Sequence, residues 1–180
     1  MKRKHHWRTF LPNNVYIFDN ILPDNVHNFF YDTITSDRIW HLNTVSKKGA
    51  TKIAGSTLYD VNEKFDDSRS YSLALVLFEF IKTRCDFLPS NIKRIHLGAK
   101  AANQDDQIHI DDSDENAYTI LYYLNKEWNS QWGGQTIVGN KEVDYVPNRA
   151  VIYKSNIEHG GKSGTGSLFR TYINYVVTNG

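Results

Sequence analysis

The stretch Gln107-Ile-His-Ile-Asp-Asp112 sets an imidazole and a carboxylate two residues apart. In extended chain alternate side chains leave on the same side, so His109 and Asp111 project together. A second imidazole, His159, falls between the apolar runs Ala150–Tyr153 and Phe169–Val177. Singly, each residue has an ordinary reading: a hydrogen-bonding histidine, or a solvated Asp111-Asp112 turn. Together, two imidazoles and one carboxylate form a facial ligand set that suits Fe(II) and leaves coordination positions open for substrate and dioxygen.

Arg170 lies on the last apolar run, where Arg170, Tyr172 and Asn174 share one face. A guanidinium forks onto a carboxylate with two parallel hydrogen bonds, which a lysine cannot copy. A buried Arg170 would anchor the distal carboxylate of 2-oxoglutarate while the other end of that co-substrate chelates the iron. Asn174 is placed on the same co-substrate side. Tyr123, in the run Tyr118–Leu124, could donate its hydroxyl to the same carboxylate. The alternatives are a surface ion pair for Arg170 and a core aromatic for Tyr123. In Trp132-Gly-Gly-Gln-Thr, Gly133 and Gly134 permit backbone geometry that other residues resist, which fits a rim loop or a hairpin turn equally. Trp128 and Trp132 would either pack on a substrate ring or close the core. His5, His6, His27, His41 and His96 lack any such context and are assigned surface or core roles.

The elements that must position these residues divide the chain in two. Val15–Phe18 alternates as a short strand. Pro23-Asp24 opens a helix, with Asp24 as its cap and Val26, Phe29, Phe30, Thr33 and Ile34 as its apolar face. Strands are predicted at Ile39–Val45 and Ser56–Val61, with the turn-rich Lys47–Ala50 between them. Asp66-Asp67-Ser68 caps a helix from Ser70 to Cys85 that is apolar almost all round and is expected to be largely buried. After Pro89, short β-branched and aromatic runs recur at Ile92–Leu97, Ile108–Ile110, Tyr118–Leu124, Gln135–Val138, Glu142–Val146, Ala150–Tyr153 and Phe169–Val177, parted by Gly, Asn, Asp and Pro. That pattern predicts a sandwich or barrel.

Bulk properties bound the remaining readings. With 180 residues, 40% hydrophobic and 23% charged, the expectation is one domain, with residues 1–90 as helical support and flanking strands and 91–180 as the catalytic β core. A net charge of +1 gives no general field for nucleic acid, and no basic stretch is interleaved with aromatics. No apolar run approaches the ~18 residues of a membrane span. The basic start, Met1–Arg8, has no apolar run behind it and is expected to fray rather than act as a signal peptide. Cys85, the one cysteine, excludes an intramolecular disulfide and a multi-cysteine zinc site. It fits a reducing compartment, the cytoplasm, with Cys85 as a buried thiol.

Three blocks carry a resemblance to the prolyl 4-hydroxylase-like branch of the Fe(II)/2-oxoglutarate dioxygenases. They are Gln107–Asp112; Ile120–Asn129 with Trp132–Thr136; and Val146–Tyr153 with Glu158-His-Gly160 and Phe169–Asn174. Tyr122-Tyr-Leu-Asn-Lys-Glu-Trp128 resembles the hypoxia-type prolyl hydroxylases. The whole is similar to small hydroxylases of bacteria and phages, which would put a phage-encoded copy in its host's cytoplasm. The resemblance implies a double-stranded β-helix, a mostly β jelly roll with N-terminal helices packed on its major sheet. It implies His109, Asp111 and His159 as iron ligands, Arg170 as the carboxylate anchor and Tyr123 as its helper. It further implies Fe(II), 2-oxoglutarate and O2 as reactants, stimulation by ascorbate, and release of succinate and CO2. The implied product is a hydroxylated C–H bond, first of all on a prolyl residue of a protein or peptide. A free amino acid, another small metabolite or a sugar is the alternative, and a non-catalytic jelly-roll binding module is the rival of a different kind. Halogenating relatives lack the carboxylate that Asp111 supplies. The chain also departs from the hypoxia-type pattern. Gly98-Ala-Lys-Ala-Ala lacks the tyrosine expected ahead of the His-x-Asp motif, and Asn103 stands where a loop glycine is common.

Overall fold

The computed structural model describes residues 8–11, 15–36, 40–44, 53–62 and 69–179. The elements, in order, are β1 (Arg8–Leu11), β2 (Val15–Phe18), α1 (Asp24–Ser36), β3 (His41–Thr44), β4 (Ile53–Asp60), α2 (Arg69–Lys82), β5 (Asn91–Lys100), β6 (Tyr118–Tyr123), β7 (Thr136–Val138), β8 (Lys141–Val143), β9 (Ala150–Lys154), β10 (His159–Gly161) and β11 (Arg170–Thr178). Eight strands form one sheet in the order β1-β2-β9-β6-β11-β5-β4-β3, and three form a second in the order β10-β7-β8. Every pairing between them is antiparallel.

Alternation along the central strands builds two cores. Ile120, Tyr122, Ile152, Ile173 and Tyr175 join Phe30, Ile34, Leu77, Phe78 and Ile81 of the helices in one cluster. Their neighbours Leu121, Tyr123, Val151, Tyr153 and Tyr172 turn to the other face and join Val138 and Val143 of the small sheet. A period of two therefore gives the large sheet one face for the helices and one for the small sheet. The Tyr175 hydroxyl donates to the Ala74 carbonyl at 2.9 Å, which pins α2 to β11.

Several sequence expectations change. Phe29 is 56% exposed, whereas His27 is buried in its place, with Nε2 on the Asn125 carbonyl at 2.8 Å and Nδ1 2.6 Å from the Tyr122 hydroxyl. The second helix is not covered all round: Ala74, Leu77, Phe78 and Ile81 are buried at helical spacing, but Val76 and Phe80 are 47% and 40% exposed. A helix lying on a sheet covers only one side. Ile108–Ile110 is no strand, because the segment meets β10 at the single bridge His109–His159. Two short strands, β1 and β10, have no counterpart among the predicted runs, and Arg8 opens β1 instead of fraying. The Lys47–Ala50 turn and the Asp66–Ser68 cap lie outside the described residues, as does the start of the chain through residue 7. Cys85 is buried. No helix among the described residues is long and apolar enough to cross a membrane.

Asn148 ties the entry of α1 to the central sheet. Its Oδ1 accepts from Leu22 N at 3.0 Å and the Tyr122 hydroxyl at 2.9 Å, and its Nδ2 donates to Leu22 O at 2.8 Å. Its φ is +62°, a region asparagine tolerates better than most residues. Asn148→Ala strands these buried groups and adds backbone strain, so we expect it to lower stability by about 2–4 kcal/mol. The check is the urea midpoint. Asn148→Gly should recover the backbone part only.

Candidate active site

His109 and Asp111 sit on the segment leaving β5, and the backbone fixes both. His109 N donates to His159 O at 2.9 Å, His159 N donates back to His109 O at 2.8 Å, and Asp111 N donates to Ser155 O at 3.0 Å. The Nδ1 of His109 lies 2.8 Å from Gln107 O, and that of His159 lies 2.9 Å from Ile157 O. A carbonyl only accepts, so Nδ1 carries the proton in each ring and Nε2 keeps a free lone pair. The candidate ligand atoms of His109, Asp111 and His159 lie within 4.8 Å of one another. His159 Nε2 is 3.3 Å from Asp111 Oδ2.

Asp111 is held from three further directions. Arg94 Nη2 donates to Oδ1 at 2.6 Å, while Thr119 Oγ1 and Asn174 Nδ2 donate to Oδ2 at 2.9 and 3.1 Å. Burial by itself would raise the Asp111 pKa. Charge and hydrogen bonds donated to it, from Arg94 and Asn174 among others, outweigh burial and hold the carboxyl well below the usual range. The group is thus an anion, oriented and ready to ligate. Two imidazole nitrogens and one carboxylate oxygen are the donor chemistry that suits Fe(II).

These groups open into a cavity of about 270 Å³, and Arg170 lines the same cavity. Arg170 is 1% exposed. Its Nε donates to Gly134 O and its Nη2 to Thr136 Oγ1, both at 2.7 Å. Its guanidinium carbon lies 5.0–5.3 Å from the ring centres of Tyr123, Tyr145 and Tyr172. Among the described residues no carboxylate pairs with it. A buried cation without a counter-ion calls for an anionic ligand. The Trp132-Gly-Gly loop supplies one wall of its seat: Gly133 and Gly134 take φ of +76° and +84°, which turns the Gly134 carbonyl to Arg170.

Tyr123 lies beside Arg170, but its hydroxyl donates to Thr136 Oγ1 at 2.7 Å, and the ring does not line the cavity. Asn174 does line it, next to Asp111. Trp128 and Trp132 do not. They meet edge to face at 5.4 Å, and Trp128 packs on Tyr145 and donates to Gly133 O. Lys100, fully buried, forms an ion pair with Asp106 and donates to Gly161 O at 2.9 Å, so its charge is already matched. Asn103 has φ +63°, the left-handed geometry that a glycine would supply there.

Sequence reasoning missed Arg94 and Thr136, gave His96 only a surface or core role, and put Tyr172 on the face of Arg170 without a role; all four line the cavity. The available signal was the alternation of β5, which puts Arg94 and His96 on one face. Burial, and then Arg94, push the His96 pKa down to about 4 from 6.5. Between those values the unfolded chain binds more protons than the folded one. The contribution is therefore complete above pH 6.5 and is lost as pH falls through about 4. His96→Gln should remove roughly 1–3 kcal/mol of that acid limb. Urea midpoints across this pH window would show it, and an unchanged limb would assign the proton uptake to other groups.

Comparison with known proteins gives a consistent neighbourhood. Residues 91–175 match the model of the 2OG-Fe(II) oxygenase superfamily. No curated protein matches the chain in sequence. The fold is similar to a Pseudomonas putida prolyl-4-hydroxylase, with TM-score 0.67, 13% identity and coverage of 93% of this chain and 94% of that one. It is also similar to a Trichoplax adhaerens prolyl hydroxylase solved with a peptide fragment of the hypoxia inducible factor oxygen degradation domain (TM-score 0.69, 19% identity, 93% and 84% covered). A third likeness is to a viral collagen prolyl hydroxylase from Paramecium Bursaria Chlorella virus-1 in complex with 2OG (TM-score 0.59, 14% identity, 90% and 94% covered). At these identities the likeness is one of fold.

Proposed function

From the premise that residues 91–175 fit the 2OG-Fe(II) oxygenase superfamily, on the prolyl hydroxylase-like branch, we propose that this chain hydroxylates an unactivated C–H bond. That superfamily uses Fe(II), 2-oxoglutarate and O2. The observation that carries the proposal is the meeting, in one cavity, of a His-Asp-His group and a buried guanidinium with no counter-ion among the described residues. We read the two sheets as the double-stranded β-helix of that superfamily, and the whole chain as one catalytic domain.

His109, Asp111 and His159 would hold the iron through their Nε2 and carboxylate lone pairs. When bound, the Fe(II), 2-oxoglutarate and O2 together supply the oxidising chemistry, with succinate and CO2 released. The protein's part is positional. The Gln107 and Ile157 carbonyls fix the two ring tautomers, and Arg94 occupies one Asp111 oxygen, which would leave the other to hold the metal. Arg170 anchors the distal carboxylate of 2-oxoglutarate. Tyr123 acts on that carboxylate through Thr136: the Thr136 oxygen accepts from both Arg170 and Tyr123, which leaves its own proton for the ligand. Asn174 orients Asp111 on the metal side.

For the prime substrate we propose a prolyl residue of a protein or peptide, supported by the fold neighbours named as prolyl hydroxylases and by one solved with a peptide. The test supplies the purified protein with Fe(II), 2-oxoglutarate, ascorbate and O2, alone and with proline-bearing polypeptides. Expected are slow succinate release alone, faster release with the right polypeptide, and a gain of ~16 Da on proline, the mass of one oxygen atom. Succinate without stimulation by any proline-bearing chain would keep the reaction and remove the prolyl substrate.

A further inference from the structure

Two glycines lie side by side on neighbouring strands: Gly55 of β4 pairs in register with Gly98 of β5. A Cβ built on Gly98 would fall 2.4 Å from Tyr172 Cζ and 2.5 Å from its hydroxyl. One built on Gly55 would fall 2.8 Å from His96 Nε2. Both separations are too short for real side chains, so the two rings occupy the room that the glycines leave. Tyr172 leans from β11 across β5, and His96 leans from β5 across β4. Together they form a wall of the cavity.

This wall is made of hydrogen-bonding groups with capacity unspent. Tyr172 is 7% exposed, and its hydroxyl has no hydrogen-bond partner among the described residues. The His96 ring makes no hydrogen bond among them either. Thr57 pairs with His96 in register, and Arg94 follows two residues away on the same face of β5; both line the cavity. Arg94 spends Nη2 on Asp111, and a guanidinium has further N–H groups to give. The lining carboxylates are already engaged, Asp111 with Arg94, Thr119 and Asn174, and Asp106 with Lys100. A phenol, a hydroxyl, an imidazole and a guanidinium, with no free carboxylate among them, select an acceptor and favour an anion.

We propose that this wall holds the prime substrate, and that the prime substrate presents a carboxylate to Tyr172, His96 and Arg94 beside the carbon that is hydroxylated. The assignment deepens the proposed function and rests on it. For a prolyl substrate, the carboxylate belongs to free proline, to a C-terminal proline, or to an acidic residue next to an internal proline. Arg170 stays with the co-substrate, and the glycine pair sets how far the wall stands back.

The experiment titrates the protein, anaerobic and carrying Fe(II) and 2-oxoglutarate, with N-acetyl-L-proline and with its uncharged amide, by calorimetry. The acid should bind at least about 10-fold more tightly than the amide, the effect of a charge-assisted hydrogen bond. In Tyr172→Phe and in His96→Leu the ratio should fall towards one, and His96→Gln, which keeps a donor, should retain part of it. Gly98→Ala should weaken binding of both compounds by driving the Tyr172 ring into the cavity. Free L-proline and a peptide with aspartate beside an internal proline identify the source of the carboxylate. Equal affinity for acid and amide, or no binding of any carboxylate compound, overturns the assignment. So does a Tyr172→Phe protein that loses 2-oxoglutarate affinity while keeping the acid preference, because the hydroxyl would then serve the co-substrate. Succinate release judges the underlying reaction separately: acid preference without succinate keeps the wall and removes the oxygenase, and succinate without acid preference does the reverse.

Discussion

Asp111→Ala is expected to lower iron-dependent succinate release by at least about 1,000-fold, equivalent to roughly 4 kcal/mol of barrier. His109→Ala and His159→Ala should do the same. Each substitution removes one of three converging donors, and two donors hold a metal poorly. The fold should survive, because the backbone bonds that place the segment, His109 with His159 and Asp111 with Ser155, need no side chain. Asp111→Ala also frees Arg94, Thr119 and Asn174 from their common acceptor. Loss of an anion amid these donors should cost iron affinity more than it costs stability. Circular dichroism with iron analysis on the same samples separates the two. Full activity in any one variant would remove that residue from the ligand set.

The second large effect belongs to Arg170. Arg170→Ala takes away a buried cation of the cavity that has no counter-ion among the described residues. The co-substrate's distal carboxylate would then be buried unpaired, at a cost of about 3–5 kcal/mol. That corresponds to a rise in the 2-oxoglutarate requirement of roughly a hundred- to a few thousand-fold. Arg170→Lys keeps the charge but cannot reach Gly134 O and Thr136 Oγ1 with the same fork, so it should fall between the two. Tyr123→Phe, which loses only the bond to Thr136, should show a milder rise of the same kind. Normal 2-oxoglutarate binding in Arg170→Ala would move the anchor elsewhere, and Lys100, released from Asp106, would be the nearest candidate.

The parts of this account that the sequence made legible are those governed by short-range pattern. His109 and Asp111 two apart, and Arg170 and Asn174 on alternate positions of one strand, follow from the period of extended chain. The positions of β2, α1, α2 and the central strands followed from apolar spacing in the same way. What escaped depends on distant partners. β10 is three residues, His-Gly-Gly, with no intrinsic strand preference; it exists because β7 lies beside it. Ile108–Ile110 has strand-forming residues but meets β10 at an isolated bridge, His109 with His159, so it forms no strand. Val76 and Phe80 are apolar yet exposed, because the helix has one covered side. Alternation puts Tyr172 on the face of Arg170 and Asn174, but how far its ring leans into the cavity depends on Gly98, on another strand, which leaves it room.

Anaerobic titration of the metal-free protein with Fe(II) and then 2-oxoglutarate, followed by calorimetry and by the visible charge-transfer absorption of a keto acid chelated to Fe(II), reads both halves of the site at once. Expected are one iron per chain, one 2-oxoglutarate bound only after iron, loss of the iron step in Asp111→Ala, and loss of the 2-oxoglutarate step alone in Arg170→Ala. A protein that binds no iron through these residues, or binds 2-oxoglutarate equally well without it, would contradict the account and leave the fold as that of a binding module.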